Sequence, residues 1–233
     1  MNRRLALSYL LDLYKLGAGE RLVRAPTTYL SILFGVSQQS ASRIISELVR
    51  DEYVYKVVRN GQIWIRITER GNEEIKDFIK YVNDVYDNPG RIVLKGVVER
   101  GLGEGAYYIS KRRYQIQFKD KLGFYPYPGT LNIRLKDTYY MSQNRLLRSL
   151  PGYRIKGFRT KQRYFGGAKV FRAIIEDKIE GGIIYPDRSI HGYDVVEVIS
   201  PKYLRGELGL KDGDVIKVEA IIIDEKLLEY DRG

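Results

Sequence analysis

The sequence predicts a multidomain α+β chain: an N-terminal winged helix-turn-helix followed by a C-terminal β-barrel. Three observations lead there. Apolar residues within positions 1–86 recur mostly at helical spacing, interrupted by one Asn-Gly hairpin. From residue 91 onward, short β-rich runs separated by Gly and Pro dominate. Between the two, Asp87-Asn88-Pro89-Gly90 is a breaker cluster. It places the domains at 1–88 and 89–233, and a chain of 233 residues accommodates two.

Each element follows in order. Leu5, Leu7, Leu10, Leu11, Leu13 and Tyr14 give a first helix an apolar face. A second helix is expected to start at Thr27 or Thr28, one of them capping it after Pro26, and to stop at Gly35. A third runs over 37–50 with Ser37 as N-cap and Ala41, Ile44, Ile45, Leu48 and Val49 as its buried stripe. The runs 53–58 and 63–67 flank Arg59-Asn60-Gly61-Gln62 as a hairpin. A fourth helix starts at Thr68, with Ile75, Phe78, Ile79 and Val82 facing inward. Strands are then expected over 91–99, 106–109, 131–135, 170–175, 179–184, 194–199 and 214–223, with helices over 114–122 and 202–208.

Composition narrows the function classes. The 40 Lys+Arg against 29 Asp+Glu leave a formal charge of +11, which points to phosphate-bearing partners. With no Cys, disulfides, thiolate metal sites and Cys nucleophiles are excluded. No apolar run is long enough to span a membrane. The start reads as an amphipathic helix rather than a signal peptide, so a cytoplasmic location is expected. The charge is uneven: residues 1–88 carry 13 Lys+Arg and 11 Asp+Glu, whereas residues 89–233 carry 27 and 18. The excess therefore belongs mostly to the β-rich part.

Helix, helix, tight turn, helix, two-stranded wing, helix is the winged helix-turn-helix order. Gly35 falls where the turn needs a positive φ. The third helix presents Gln38, Gln39, Ser40, Ser42 and Arg43, side chains suited to base edges and phosphates, and Arg59 lies at the wing tip. A double-stranded DNA operator and a homodimer are the expected partners. The competing reading is a small helical domain for dimerisation or protein contact, to which a net charge of only +2 gives some force, but order, spacing and the polar helix face agree on DNA.

In the second part, Gly101-Leu-Gly-Glu-Gly-Ala-Tyr-Tyr-Ile-Ser110 reads as a loop that lets phosphate approach the backbone, or as a bulged turn. No Gly-Lys-Ser/Thr follows, and no helix is expected to open there, so it matches neither a Walker A loop nor a Rossmann fingerprint. Thr130 and Asn132 alternate after a Pro-rich turn and would share one strand face. They read as hard-oxygen Mg²⁺ ligands or as a hydrogen-bonded structural turn. Glu197, by spacing alone, is a charge on an alternating strand. Lys161, Arg163 and Lys169 flank Tyr164-Phe165-Gly166-Gly167 and read as phosphate contacts or a solvated loop. His191 reads as a packing residue rather than a metal ligand, and Asp212-Gly213-Asp214 as a hairpin turn rather than a metal site.

Taken together, several blocks resemble one family. They are residues 101–108, Tyr114, Gln117-Phe118, and Leu122-Gly-Phe-Tyr-Pro-Tyr-Pro-Gly-Thr-Leu-Asn132. Further on come Pro186-Asp-Arg-Ser-Ile-His191, Val195-Val-Glu-Val-Ile199, Pro201-Lys-Tyr-Leu-Arg205 and Leu210-Lys-Asp-Gly-Asp-Val-Ile-Lys217. In this order they resemble the archaeal CTP-dependent riboflavin kinases. With the N-terminal winged helix, the chain resembles the bifunctional form that is also a regulator of riboflavin genes. The resemblance implies a six-stranded cradle-loop barrel that transfers the γ-phosphoryl of CTP to the riboflavin 5′-hydroxyl, giving FMN and CDP. It also implies that Leu102, Gly103, Glu104, Gly105, Ala106 and Tyr107 wrap the nucleotide, and that Lys202, Tyr203, Leu204 and Arg205 hold its cytosine end. Thr130 and Asn132 match the Mg²⁺ ligands, and Glu197 matches the carboxylate at the flavin site. Ser189 stands where the family is expected to have a flavin-contacting Thr. Glu197 is then the group that orients or deprotonates the accepting hydroxyl, and Glu104 is expected to serve loop structure. A second reading is a flavin- or nucleotide-sensing regulator without catalysis.

Overall fold

The protein, seen as a computed structural model, is described over residues 1–101, 103–161, 163–189 and 191–222, with Glu104 described by its backbone alone. Leu102, Ile190, Ile223 and the Glu104 side chain, all named in the sequence reading, lie outside the described residues. The chain divides into two compact units, Met1–Asn83 and Asp84–Gly233.

The first unit begins with α1 (Arg3–Lys15), whose Asn2 side chain accepts from the Arg4 N–H as an N-cap. Strand β1 (Val23–Arg24) leads to α2 (Thr27–Phe34), and Gly35 ends that helix in the left-handed region at φ 64°. Helix α3 (Gln38–Arg50) is capped by Ser37, which accepts from the Ser40 N–H. Strands β2 (Val54–Arg59) and β3 (Gln62–Ile67) form a hairpin whose Asn60 and Gly61 both take positive φ, 48° and 71°. Helix α4 (Glu69–Asp87) follows. Strand β3 lies between β1 and β2 in a three-stranded antiparallel sheet. Leu10, Leu13, Leu30, Ile45, Leu48, Ile65 and Ile67 form the core between helices and sheet.

Three local expectations are corrected here. Pro26, not a Thr, takes the N-cap place of α2, and no side chain caps it. The Pro26 carbonyl instead accepts from Tyr29 and Leu30, which leaves Thr27 inside the first turn. Val49 of α3 and Ile79 and Val82 of α4, expected inside, are exposed. The reason on α4 is that only its start packs. Gly71 lies so close to Tyr53 that an added Cβ would meet the Tyr53 carbonyl oxygen at 2.4 Å, and Ile75 is the last buried residue.

The second unit opens with β4 (Arg91–Glu99), α5 (Glu104–Ile109) and α6 (Arg112–Leu122). Next come β5 (Leu131–Arg134), α7 (Thr138–Ser149), β6 (Tyr153–Ile155), β7 (Phe158–Arg159) and β8 (Tyr164–Phe165). It closes with β9 (Ala168–Ile175), β10 (Ile179–Pro186), β11 (Val195–Ile199), α8 (Leu204–Glu207) and β12 (Val215–Ile221). Pairing runs β4–β5–β11–β10–β9–β12 and back to β4, antiparallel throughout, which closes a six-stranded barrel. Strand β6 adds to the first half of β9, and β7 with β8 makes a separate two-stranded hairpin.

The barrel interior is filled by Leu94, Leu131, Ile133, Phe171, Ile183, Val196, Val198 and Val218, among others. A second apolar cluster lies outside the wall, where Ile109, Tyr114, Phe118, Ile155 and Phe165 pack on Val170, Ile184 and Ile199. Three readings change in this unit. The run 106–109 is helical rather than a strand. Its aromatic and β-branched composition favours a strand locally, but burying Ile109 against the α6 cluster overrides that preference. Helix α7 replaces an expected absence of structure; Asp137 caps it by accepting from the Tyr139 N–H at 2.9 Å. Asp212-Gly213-Asp214 does turn, with Gly213 at φ 95°, but it joins a helix to a strand rather than two strands of a hairpin.

Candidate active site

The site begins with strand alternation. In the antiparallel register Asn132 lies opposite Glu197, and Glu197 lies opposite Ile184. Directly opposed residues share a face of the sheet. Asn132, Glu197 and Ile184 therefore point out of the barrel wall, while their neighbours Leu131, Ile133, Val196, Val198 and Ile183 fill its interior. Thr130, two residues before Asn132, is on the same side. Helices α5 and α6 and the β7–β8 hairpin cover this outer face, leaving a cavity of about 410 Å³ between cover and wall.

The cavity has two kinds of lining. Tyr114, Phe118, Ile155 and Ile184 supply an apolar floor. Thr130, Asn132, Ser189, His191 and Glu197 supply polar groups. At the mouth run Gly101, Gly103 and Gly105. Gly105 is required for closeness: a Cβ there would meet Thr130 Oγ1 at 2.7 Å. Gly103 turns the chain into α5 at φ 80°, where an L side chain is strained. A helix thus does open from the glycine stretch, contrary to the sequence reading, although no Lys-Ser/Thr pair follows.

Thr130 Oγ1 donates to Asn132 Oδ1 at 3.4 Å, so two neutral hard oxygens stand side by side. That spacing suits two ligands on one small cation, and these residues could hold Mg²⁺ if phosphate oxygens completed its shell. No cluster of three or more His, Asp or Glu that could hold a metal occurs among the described residues. Burial raises the Glu197 carboxyl above the usual carboxylate range, and His191 and Arg148 pull it part of the way back. The His191 Nε2 is 3.7 Å from Glu197 Oε1. Ser189 Oγ accepts from the His191 N–H at 3.1 Å, which pins the loop before β11. Arg148, from α7, donates to the Gly192 carbonyl at 2.8 Å and so fixes the same loop from the other side.

Sequence-predicted residues divide by place. Gly103, Gly105, Ala106, Thr130, Asn132, Ser189 and Glu197 meet at this one cavity. Tyr107 does not line it; the Lys111 ammonium sits 3.6 Å over its ring. Of residues 202–205, Arg205 lines an adjoining recess with Gly101 and Thr130, and it donates to the Glu99 carbonyl at 3.0 Å and pairs with Asp212. Lys202 pairs with Glu207, Tyr203 packs at 5.1 Å on Tyr127, and Leu204 is buried in the barrel cluster. In the first unit, Gln38, Gln39, Ser42, Arg43 and Arg59 are exposed, Arg43 lying 3.8 Å from Glu47. Ser40 is drawn into the helix cap through Ser37.

Tyr108, Tyr164 and Arg188, which the sequence reading carried only within longer blocks and gave no role of their own, also line the cavity. Tyr114 was noted only as part of the resemblance. Its hydroxyl donates to the Gly166 carbonyl, and burial pushes its pKa up to about 12, so it remains a neutral donor. The signal that could have found this cover was the flanking of Tyr164-Phe165-Gly166-Gly167 by cations.

A partly buried carboxylate beside two neutral hard oxygens, in a cavity on the outer wall of a closed barrel, is the arrangement of a small-molecule site, and the class of protein it suits is an enzyme. The comparisons specify it. Residues 98–220 match the profile of the CTP-dependent riboflavin kinase family, described as "Domain of unknown function DUF120". The chain is similar to the riboflavin kinase of Thermoplasma volcanium, 44% identical over 191 residues, covering 82% of this chain and 85% of that one. Similarity to the Archaeoglobus fulgidus riboflavin kinase is 39% over 218 residues, 93% of this chain and 92% of the other. For that of Pyrobaculum arsenaticum it is 37% over 220 residues, 94% and 98%. The chain belongs to the CTP-dependent riboflavin kinase family. Matches of that length take in most of the first unit as well as the barrel. No helix among the described residues is long and apolar enough to cross a membrane.

Proposed function

We propose that the chain phosphorylates riboflavin, moving the γ-phosphoryl group of CTP to the 5′-hydroxyl to give FMN and CDP. The observation that carries this reading is the single cavity that joins an apolar floor to Thr130, Asn132 and Glu197. Its floor suits the flat ring system of a flavin, and its polar side suits a hydroxylated chain meeting a phosphate. Gly103, Gly105 and Ala106 let the phosphates approach the backbone, and Arg205 steadies the adjoining recess beside the nucleotide. Backbone groups of residues 202–205 read cytosine. Ser189 contacts the flavin.

Phosphoryl transfer needs positioning and charge neutralisation more than covalent chemistry. Thr130 and Asn132 would hold Mg²⁺, which would neutralise phosphate charge. Glu197 orients the 5′-hydroxyl and accepts its proton as the oxygen bonds to phosphorus. Its burial makes it a better base than an exposed carboxylate. The bond from phosphorus to the β-phosphate oxygen breaks, and CDP leaves with that electron pair. Purified protein given riboflavin, Mg²⁺ and CTP is expected to form FMN, with ATP a poorer donor. No FMN with any nucleotide would remove the reading and leave a flavin-sensing regulator.

We also propose that residues 1–88 are a winged helix that reads double-stranded DNA as a homodimer and regulates riboflavin genes, with residues 89–233 as the kinase. Support comes from the exposed polar face of α3, with Gln38, Gln39, Ser42 and Arg43, and from Arg59 at the hairpin tip. Arg43→Ala is expected to weaken operator binding about 10-fold or more, since a good base or phosphate contact contributes roughly 1–3 kcal/mol. Kinase turnover is expected to stay unchanged. Equal affinity of variant and wild type in a salt-controlled gel-shift assay would discard α3 as the reading helix.

A further inference from the structure

A transferring phosphoryl group carries more negative charge than the neutral pair Thr130 and Asn132 can meet. Among the described residues lining the cavity, fixed positive charge comes from Arg163 and Arg188. We propose that Arg163, held over the cavity by the β7–β8 hairpin, is a catalytic residue whose guanidinium neutralises charge on the transferring phosphoryl oxygens. The proposal rests on the kinase reading above.

The hairpin is fastened at its base and its tip. The Gln117 side-chain amide donates to the Lys156 carbonyl at 3.1 Å, and its oxygen accepts from the Lys156 N–H at 2.7 Å. Tyr114 donates to Gly166, and the rings of Phe158 and Phe165 stack at 4.7 Å. The turn closes on Arg163 itself: the Thr160 N–H donates to the Arg163 carbonyl at 2.9 Å, and the Arg163 N–H donates to Thr160 Oγ1 at 3.2 Å. The backbone of Arg163 is thereby set before any ligand arrives.

Among the described residues, the side chain is held by neutral groups. Its Nη2 donates to Tyr108 Oη at 2.8 Å, and its guanidinium lies 4.8 Å from the Phe165 ring centroid. These contacts fix orientation through a neutral hydroxyl and a π face. No carboxylate among the described residues pairs with it. Tyr108 belongs to α5, the helix that leaves the Gly103–Gly105 stretch, so the tie joins Arg163 to the element that carries those glycines. Arg188 is placed differently, over Tyr164 at 5.3 Å and next to Ser189 in sequence. In the transfer the new bond joins the 5′-oxygen to phosphorus, the old bond to the β-phosphate oxygen breaks, and the proton goes to Glu197. Arg163 exchanges no proton.

The test uses full-length wild type, Arg163→Ala and Arg163→Lys with riboflavin, Mg²⁺ and CTP. For Arg163→Ala, kcat is expected to fall about 10²–10³-fold, with KM for both substrates and the unfolding midpoint near wild type. Arg163→Lys is expected to keep an intermediate rate, and added guanidinium ion to restore part of the Arg163→Ala rate while leaving wild type unstimulated. The proposal is overturned if kcat is unchanged, if the effect falls wholly on riboflavin KM, or if guanidinium restores nothing. Failure of the wild type to form FMN would instead remove the kinase reading.

Discussion

Asn132→Ala is expected to reduce the rate of FMN formation about 10²–10³-fold, the size seen when one preorganised electrostatic contact to a transition state is lost. The side chain is buried, yet it points out of the barrel wall, and the packed interior loses nothing when it is truncated. The circular dichroism spectrum and unfolding midpoint are therefore expected to stay close to wild type. A Mg²⁺ titration separates the causes. If Asn132 is a ligand, the variant needs far more Mg²⁺ for half-maximal rate, and Thr130→Ala shifts the same curve. Unchanged turnover for Asn132→Ala would withdraw the metal assignment from this pair.

Glu197→Gln is the second large loss expected, about 10²–10⁴-fold in kcat with KM for CTP little changed, as for removal of a positioned general base. The amide keeps the shape and can still accept a hydrogen bond, but it cannot take the proton. A stability readout accompanies it in metal-free protein. Burial raises the Glu197 carboxyl in the folded state, so the folded protein holds that proton more tightly than the unfolded chain does. The carboxylate thus lowers stability once pH rises through the unfolded and then the folded value. Gln removes that cost, so the variant is expected to melt higher than wild type at neutral pH. Below the ordinary carboxylate range, where Glu197 is protonated in both states, the difference is expected to vanish. A wild-type rate for Glu197→Gln would dismiss it as the proton acceptor.

Much of the architecture was legible because local chemistry and tertiary packing agreed. Ser37 capped its helix, Asn60-Gly61 made its hairpin, and Gly35 took the positive φ that its turn required. Legibility failed where packing overruled the local pattern. Residues 106–109 look like a strand until Ile109 finds the α6 cluster. Helix α7 shows few apolar positions because it buries Tyr139, Asn144 and Leu147 rather than a continuous stripe. At the site, alternation put Thr130 and Asn132 on one strand face but left a structural turn as an open reading, and Glu197 stood out only through the family resemblance. Only the cross-strand register sets it opposite Asn132, and no sequence spacing encodes a pairing between residues so far apart. Arg163 and Tyr108, too, become neighbours only through the hairpin fold.

The strands of the barrel wall serve two faces at once, and this ties correct folding to chemistry. A slip of β5 by one residue against β4 and β11 would drive Asn132 into the hydrophobic interior and turn Leu131 and Ile133 outward. Such a misregistered chain would lose its core and its candidate site in the same event. A population of well-folded barrels with a displaced site is therefore not sustainable: the apolar residues that stabilise the wall also proofread the position of the groups proposed to react.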